Sequence, residues 1–414
     1  MKYFFDPHVH VMTLEHPNLL SFFASLESGI PDLITSGALS PSYIVGVGKR
    51  SKGSSLLNRI TNTLTTFEQS IGATLIMMED DLRGSFESRE EKAPRPEQPY
   101  IRNGKMHIRG LVYDKIGLCP LLMDFSTSKI GKDFLYYPTG KSVRILDYIT
   151  DTIEGIEVYQ EAHPDGLFEF FPFLGINPPV HNIDFIEELL ERFIVIGKRS
   201  KGRRRFWGIK LYPPLGYDPW PDDLKERAKV ELLYEFCSTH KVPIVTHCDD
   251  QGFRGISAKE AWKYTAPFAY KPVLDRYPTL TIDFAHYGWQ YNQLQKGPLA
   301  VISSLATKTP DSPWFYELTE LMNRYPNIYG DVSFSGCDSY FYVQLSNYIN
   351  NLECDEEREI VLSRTLFGSD FSVNLIKVES YTSYCRILEE SPFSDEEIDR
   401  FVSANPMRYL GLGD

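Results

Sequence analysis

A chain of 414 residues with 42% apolar and 14% aromatic side chains can bury a large core, which excludes a disordered or fibrous protein. Its formal net charge of -13 argues against nucleic acid or an anionic membrane as the main partner. The six cysteines stand singly without a C-x-x-C pair, which argues against a zinc ribbon or a disulfide framework and points to a reducing, cytoplasmic setting.

In chain order, the first element is an apolar run, Tyr3-Phe4-Phe5, that leads into Asp6-Pro7-His8-Val9-His10. It reads as a strand rather than a secretory leader, because Asp6 and His8 interrupt any apolar region at once. On a strand, residues i and i+2 point to the same side, so His8 and His10 can share one ion. Such a pair alone is weak evidence, since it is more often incidental, solvated or packed. Residues 13–105 do not follow the rhythm of the rest and read as an insertion. Within it, the spacing of Leu56, Leu57, Ile60, Leu64, Phe67 and Ile71 predicts a helix over Ser54–Gly72 ended by the glycine. The charged, proline-rich stretch at 84–99 predicts an exposed loop.

From there short apolar runs recur at Gly117–Phe125, Leu167–Gly175, Phe206–Tyr212, Val242–Cys248, Leu280–His286, Ile328–Phe334 and Thr365–Phe371. Continuous and bounded by Gly, Pro or charge, they suit parallel strands buried on both faces. Helical patterns such as Asp222–His240 and Asp355–Ser363 lie between them. With the opening strand they number eight, which predicts one α/β domain over 1–414, a (β/α)8 TIM barrel with a long insertion after the first strand. A doubly wound open sheet is the alternative, but no G-x-G-x-x-G turn supports a nucleotide-binding version. The tail Phe393–Leu412 predicts a helix with Ser394 and Glu397 as a capping box, a buried stripe of Ile398, Phe401 and Val402, a break at Pro406, and packing on the barrel exterior.

The last polar residues of the later strands are Lys210, His247, His286 and Asp370, separated by 37, 39 and 84 residues. A βα unit of roughly 30 residues plus loops makes these one, one and two repeats, so each falls at the C-terminal mouth. Imidazoles, a carboxylate and a lysine converging there suit a divalent ion, zinc above all. Core histidines bonded to backbone would explain His247 or His286 singly, but not the whole set at matching strand ends.

His8-x-His10, Lys210, His247, His286 and Asp370 in Phe367-Gly368-Ser369-Asp370-Phe371 together resemble the amidohydrolase superfamily. The ending Asn405-Pro406-Met407-Arg408-Tyr409-Leu410-Gly411-Leu412 resembles that of its amidohydrolase-related branch, "amidohydrolase 2". The resemblance covers about 1–12 and 108–412 and leaves the insertion unexplained. It implies that His8, His10 and Asp370 hold one metal and that His247 and His286 hold a second, with Lys210 carboxylated and bridging both. In a one-metal variant, His247 joins His8, His10 and Asp370, His286 serves as acid or electrophile toward substrate, and Lys210 stays an ordinary lysine.

Either form implies a metal-dependent hydrolase of a small-molecule amide, ester or lactone, with one or two Zn2+ ions or other divalent metals and with Asp370 moving the proton of the attacking water. The alternative is a non-oxidative decarboxylase on the same barrel. A barrel that only binds a ligand is a third reading, opposed by the unneeded cost of keeping six polar groups together. Around the mouth, Tyr212, Tyr217, Trp220, Phe253, Tyr287, Trp289 and Phe371 are ring candidates, with Tyr212 and Trp289 chosen as substrate contacts. Arg254 is a candidate anchor for a substrate anion, against an ordinary surface arginine. Asp124 is a candidate supporting partner of the site, and Cys248 reads as a buried thiol because neighbours on a strand point to opposite sides. The basic run Lys198–Arg205 precedes the fourth strand and so reads as a solvated face or subunit contact on the floor. The expected partner is a small molecule, with no nucleic acid and no membrane. A homo-oligomer remains open.

Overall fold

The computed structural model describes residues 1–13, 16, 63, 65–84, 98–126, 145–194, 205–252, 256–291 and 312–413. Eight parallel strands follow one another around a ring. They are β1 (Tyr3–Val9), β2 (Lys115–Pro120), β3 (Phe168–Phe170 and Phe173–Gly175, interrupted by Phe171 and Pro172), β4 (Gly208–Leu211), β5 (Ile244–Thr246), β6 (Ile282–Phe284), β7 (Ile328–Asp331) and β8 (Thr365–Leu366). Consecutive strands pair in parallel, with Tyr3 opposite Lys115, Ile116 opposite Phe168, Phe173 opposite Gly208, and Ile282 opposite both Ile244 and Ile328. A bridge from Leu121 to Phe173 carries the pairing across the break in β3, and one from Val9 to Phe371 joins the last strand to the first. The N–H groups of Asp370 and Ser372 donate to the carbonyls of His8 and His10 at 2.8 and 3.1 Å. The ring is therefore closed, and the TIM barrel expected from eight apolar runs is the observed architecture.

The ordered strands are shorter than the apolar runs that predicted them, because each run continues into the mouth as loop or 3-10 turn carrying a polar side chain. Helices cover the outside, among them Ile145–Ala162, Ile183–Phe193, Leu224–His240, Pro313–Arg324 and Asp355–Arg364. Asp223 caps the third of these by accepting from the N–H groups of Lys225 and Glu226. Among the described residues no helix is long and apolar enough to cross a membrane.

The tail differs from its expectation in one respect. Ser394 and Glu397 form the capping box, Ile398, Phe401 and Val402 are buried, and a new helix starts at Asn405 with Pro406 in its first turn. The chain then turns under the barrel instead of lying along its outside. Tyr409 stacks on Phe173, packs edge-on against Tyr329, and donates its hydroxyl to the Ile244 carbonyl at 3.0 Å. It thereby closes the floor of the barrel.

Residues 54–62 and 64 of the expected insertion helix, and 85–97 of the expected loop, lie outside the described residues. Gly72 does not end a helix. It is the second residue of one, Ile71–Leu82, capped by Ser70. A Cβ on Gly72 would lie 2.7 Å from Val158 Cγ1, and one on Gly155 would lie 2.6 Å from Ile71 Cγ2, so paired glycines let this helix pack closely on Ile145–Ala162. An antiparallel meander of three short strands between Ile101 and Tyr113 then leads into β2.

Candidate metal centre

Closing the barrel creates the first donor set. The pairing of the β8 exit with β1 places Asp370 beside the two histidines that β1 turns to one side. Asp370 Oδ1 lies 3.3 Å from His10 Nε2 and 3.5 Å from His8 Nε2, and the two Nε2 atoms are 3.3 Å apart. The other nitrogen of each ring settles the tautomer. His8 Nδ1 is 2.7 Å from Asp331 Oδ2, and His10 Nδ1 is 3.1 Å from the Leu121 carbonyl; both oxygens only accept, so both Nδ1 atoms carry the hydrogen. Both Nε2 atoms are then lone pairs facing each other and a carboxylate oxygen in a buried place. Burial pushes the Asp370 carboxyl well up, so either a proton on it or a shared cation resolves the repulsion. Ligands about 2.0–2.1 Å from a tetrahedral ion stand about 3.3–3.4 Å apart, so the spacing suits a divalent metal. His8, His10 and Asp370 all lie within 4.8 Å of one another at their donor atoms.

A second buried set, His247, Asp249 and His286, stands at the ends of β5 and β6. His286 Nδ1 donates to the Ser333 carbonyl at 3.0 Å, leaving Nε2 3.2 Å from His247 Nδ1. His247 Nε2 donates to Asp249 Oδ1 at 3.0 Å. These imidazoles also meet lone pair to lone pair, so the pair holds either one shared proton or an ion. His247 belongs to this group rather than to the first. The loop after β5 folds back over it at Gly252, whose φ is +90°; a Cβ there would lie 3.1 Å from the His247 ring and would collide with the Tyr212 hydroxyl.

Lys210 lies between the sets, with Nζ 3.5 Å from His8 Nε2. Burial lowers its amine to about 8, against the opposing pull of Asp331, Asp370, Asp283 and Asp249. Burial lowers His8 to about 4 and His286 to about 3, and Asp331 and Asp249 only partly offset this. Asp331 itself is held well below the usual carboxylate range, since the pull of His8 and His286 and their hydrogen bonds outweigh its burial. Its Oδ1 accepts from the His286 N–H at 3.1 Å and the Ser333 N–H at 2.9 Å, and the Ser333 hydroxyl also donates to it. One carboxylate thus orients His8 through one oxygen and the β6 and β7 exits through the other. Below it, burial and the charge of Asp331 push the Asp283 carboxyl well above its ordinary value. Asp6 is pushed up to about 6 by burial, although it accepts from the Ser369 N–H at 2.9 Å and the Tyr381 hydroxyl at 2.9 Å.

All six expected ligands, His8, His10, Lys210, His247, His286 and Asp370, are buried at the mouth. Tyr212 packs its ring 4.6 Å from that of His247. Trp289 packs against Phe315 and Phe341. Arg254, Phe253 and residues 198–204 of the basic run lie outside the described residues, while Arg205 is exposed and pairs with Glu157. Asp124 does not support a site histidine: it accepts from His181 Nε2 at 2.5 Å and from the Ser126 N–H. Cys248 is a buried free thiol that burial pushes well up. Sequence reasoning missed Asp331 and Asp249. Asp331 ends the ordered strand β7, but the apolar run Ile328–Phe334 continues to Ser333, its last polar residue, so the rule that finds Asp370 passes over Asp331. Asp249 lies two residues past His247 and is not found by that rule either.

A closed parallel barrel with nitrogen and oxygen donors gathered at its mouth belongs to the class of metal-centre barrels. Within that class the family is given by sequence: the model described as Amidohydrolase matches residues 166–412, and the chain belongs to this family. No curated protein matches the chain. Among solved structures it is similar to an uncharacterised TIM-barrel protein from Bordetella bronchiseptica (15% identity, 99% of this chain and 98% of that chain, TM-score 0.45). It is also similar to 5-carboxyvanillate decarboxylase from Novosphingobium aromaticivorans with bound manganese (12%, 99% and 97%, TM-score 0.47). A third is a probable 2-pyrone-4,6-dicarboxylic acid hydrolase from Acinetobacter baumannii (12%, 72% and 84%, TM-score 0.39).

Proposed function

We propose that the chain is a metal-dependent enzyme acting on a small carboxylate-bearing molecule, and that its reaction is non-oxidative decarboxylation. The observation that carries this reading is the division of the mouth into two sets. His8, His10 and Asp370 meet the needs of one divalent ion, zinc or manganese, without the second imidazole pair. That pair, backed by Asp249, is then free to carry a proton.

A bound ion would supply charge stabilisation for the substrate's carboxylate and an adjacent oxygen. Every other part belongs to the chain. Asp331 holds His8 in the tautomer that offers Nε2. One proton shared between His247 Nδ1 and His286 Nε2 relieves their facing lone pairs, and the anionic Asp249 balances its charge. Burial makes that proton weakly held on His286, which suits its transfer to the carbon that keeps the bonding pair as the carbon–carboxylate bond breaks and CO2 leaves. Gly252 lets the backbone after β5 pass close against the His247 ring.

Lys210 favours a second reading, hydrolysis. Its amine is buried beside His8, and a carbamate there would let both imidazole pairs hold an ion, with Asp370 taking the proton of an attacking water. Three measurements decide between the two. Metal per chain, the mass of the Lys210 peptide, and products from aromatic and unsaturated acids set against amides, esters and lactones are read on the native protein. One ion, unmodified Lys210 and CO2 release are expected. Two ions, a carboxylated lysine and incorporation of labelled water into product would overturn decarboxylation.

A further inference from the structure

We propose that Lys377, with the rings of Phe334 and Tyr291, forms a subsite at the rim of the metal centre that receives a second carboxylate of the substrate. The inference rests on the reading of this barrel as an enzyme of small carboxylates, and it adds that the substrate is a dianion with an unsaturated or aromatic body.

Lys377 follows the 3-10 turn Val373–Ile376, on the loop that leaves β8 after Asp370. Its ammonium lies 4.0 Å from the centre of the Phe334 ring and 4.4 Å from that of Tyr291, and it donates to the Tyr291 hydroxyl at 3.2 Å. Phe334 in turn packs its ring 6.2 Å from that of His286. The cation therefore stands one aromatic ring away from the second donor set.

Two features separate this lysine from an ordinary structural one. The first is its partners. Among the described residues its ammonium makes no ion pair: it bonds the Tyr291 hydroxyl and lies against the Phe334 and Tyr291 rings, with Asp249, Asp338 and Asp370 acting on it only through space, whereas exposed lysines here, such as Lys105 and Lys271, pair directly with Asp114 and Asp275. A partly buried ammonium that donates only to a phenol keeps donor capacity for an anion, and a carboxylate bonded to it there is worth more than one in open water. The second is the way the loops are held. Phe334 has φ +55° in the exit of β7, a conformation that a bulky residue adopts only under constraint, and it aims the ring between Lys377 and His286. Tyr291, on the β6 exit, is fixed by its N–H donating to Asp250 Oδ1 at 2.7 Å. Three loops thus converge to place one cation between two ring faces, and such faces also suit a flat unsaturated substrate.

The test is calorimetric titration of the metal-loaded full chain with benzoate and with the three benzenedicarboxylates. One charge-assisted hydrogen bond corresponds to about a tenfold to hundredfold gain. The wild type is expected to bind at least one dicarboxylate about tenfold or more tighter than benzoate. Lys377→Met should lose that advantage while leaving benzoate affinity within about twofold, and Lys377→Arg should recover most of it. A lysine that only clamps loops together would lower affinity for all four acids alike. An equal preference in wild type and Lys377→Met, or no preference in the wild type, overturns the subsite. Metal content measured on the same samples tests the metal centre separately, and repeating the titration on chelated protein reads the lysine without the ion.

Discussion

At the floor of the barrel Phe5, Cys119, Leu121, Phe173, Val245 and Leu366 pack around Tyr409, and the one hydroxyl among these side chains is bonded to a carbonyl. A few residues further along the same strands, at the mouth, His8, His10, Lys210, His247, His286, Asp331 and Asp370 are as deeply buried. There His8 and His10 turn their Nε2 lone pairs toward each other, and His286 Nε2 faces His247 Nδ1 in the same way. Burial at the floor stabilises the fold without any ligand. Burial at the mouth opposes it until a cation arrives, and is retained for chemistry.

Substitutions at the two ends should therefore separate activity from stability. The largest effect is expected for Asp370→Asn, which removes the anionic donor: turnover should fall by about 10³, metal content should drop, and the metal-free protein should melt no lower than wild type. A fully active variant would break the assignment. Tyr409→Ala should do the reverse. It should lower unfolding free energy by about 3–5 kcal/mol in denaturant titration while the folded fraction binds metal as before. Asp331→Asn tests the link between mouth histidines and their support, and weaker metal binding by about 10–100-fold is expected in competition with a chelator. Unchanged affinity would mean that His8 keeps its tautomer without this carboxylate. Tyr409→Phe should be the mildest, about 1 kcal/mol from the lost bond to Ile244 and no change at the metal.

The barrel was legible because strands buried on both faces are written as short continuous apolar runs, and their count implies closure. The ligands were legible because each ends such a run, as Lys210 and His247 do. What escaped the sequence depends on approach across the ring. Asp331 touches His8 only because β7 and β1 flank the last strand. Asp249 acts through a loop that Gly252 folds back, and Lys377 sits in a turn without periodicity. Gly72 was misread for a related reason: a glycine that ends a helix and one that lets two helices touch look alike until the partner, Gly155, is in place.

Asp370 has φ +58°, and His286, Tyr287 and Phe334 are likewise in the left-handed region, so the exits of β6, β7 and β8 all turn through it. Among side chains, Asp and Asn tolerate that conformation best because their short polar groups bond locally. Mutagenesis at Asp370 is therefore interpretable only within a narrow alphabet. Asparagine changes the charge and keeps the turn, whereas alanine or leucine would also disturb the seam where Asp370 donates to the His8 carbonyl, and would move the very histidines whose metal binding the experiment is meant to read.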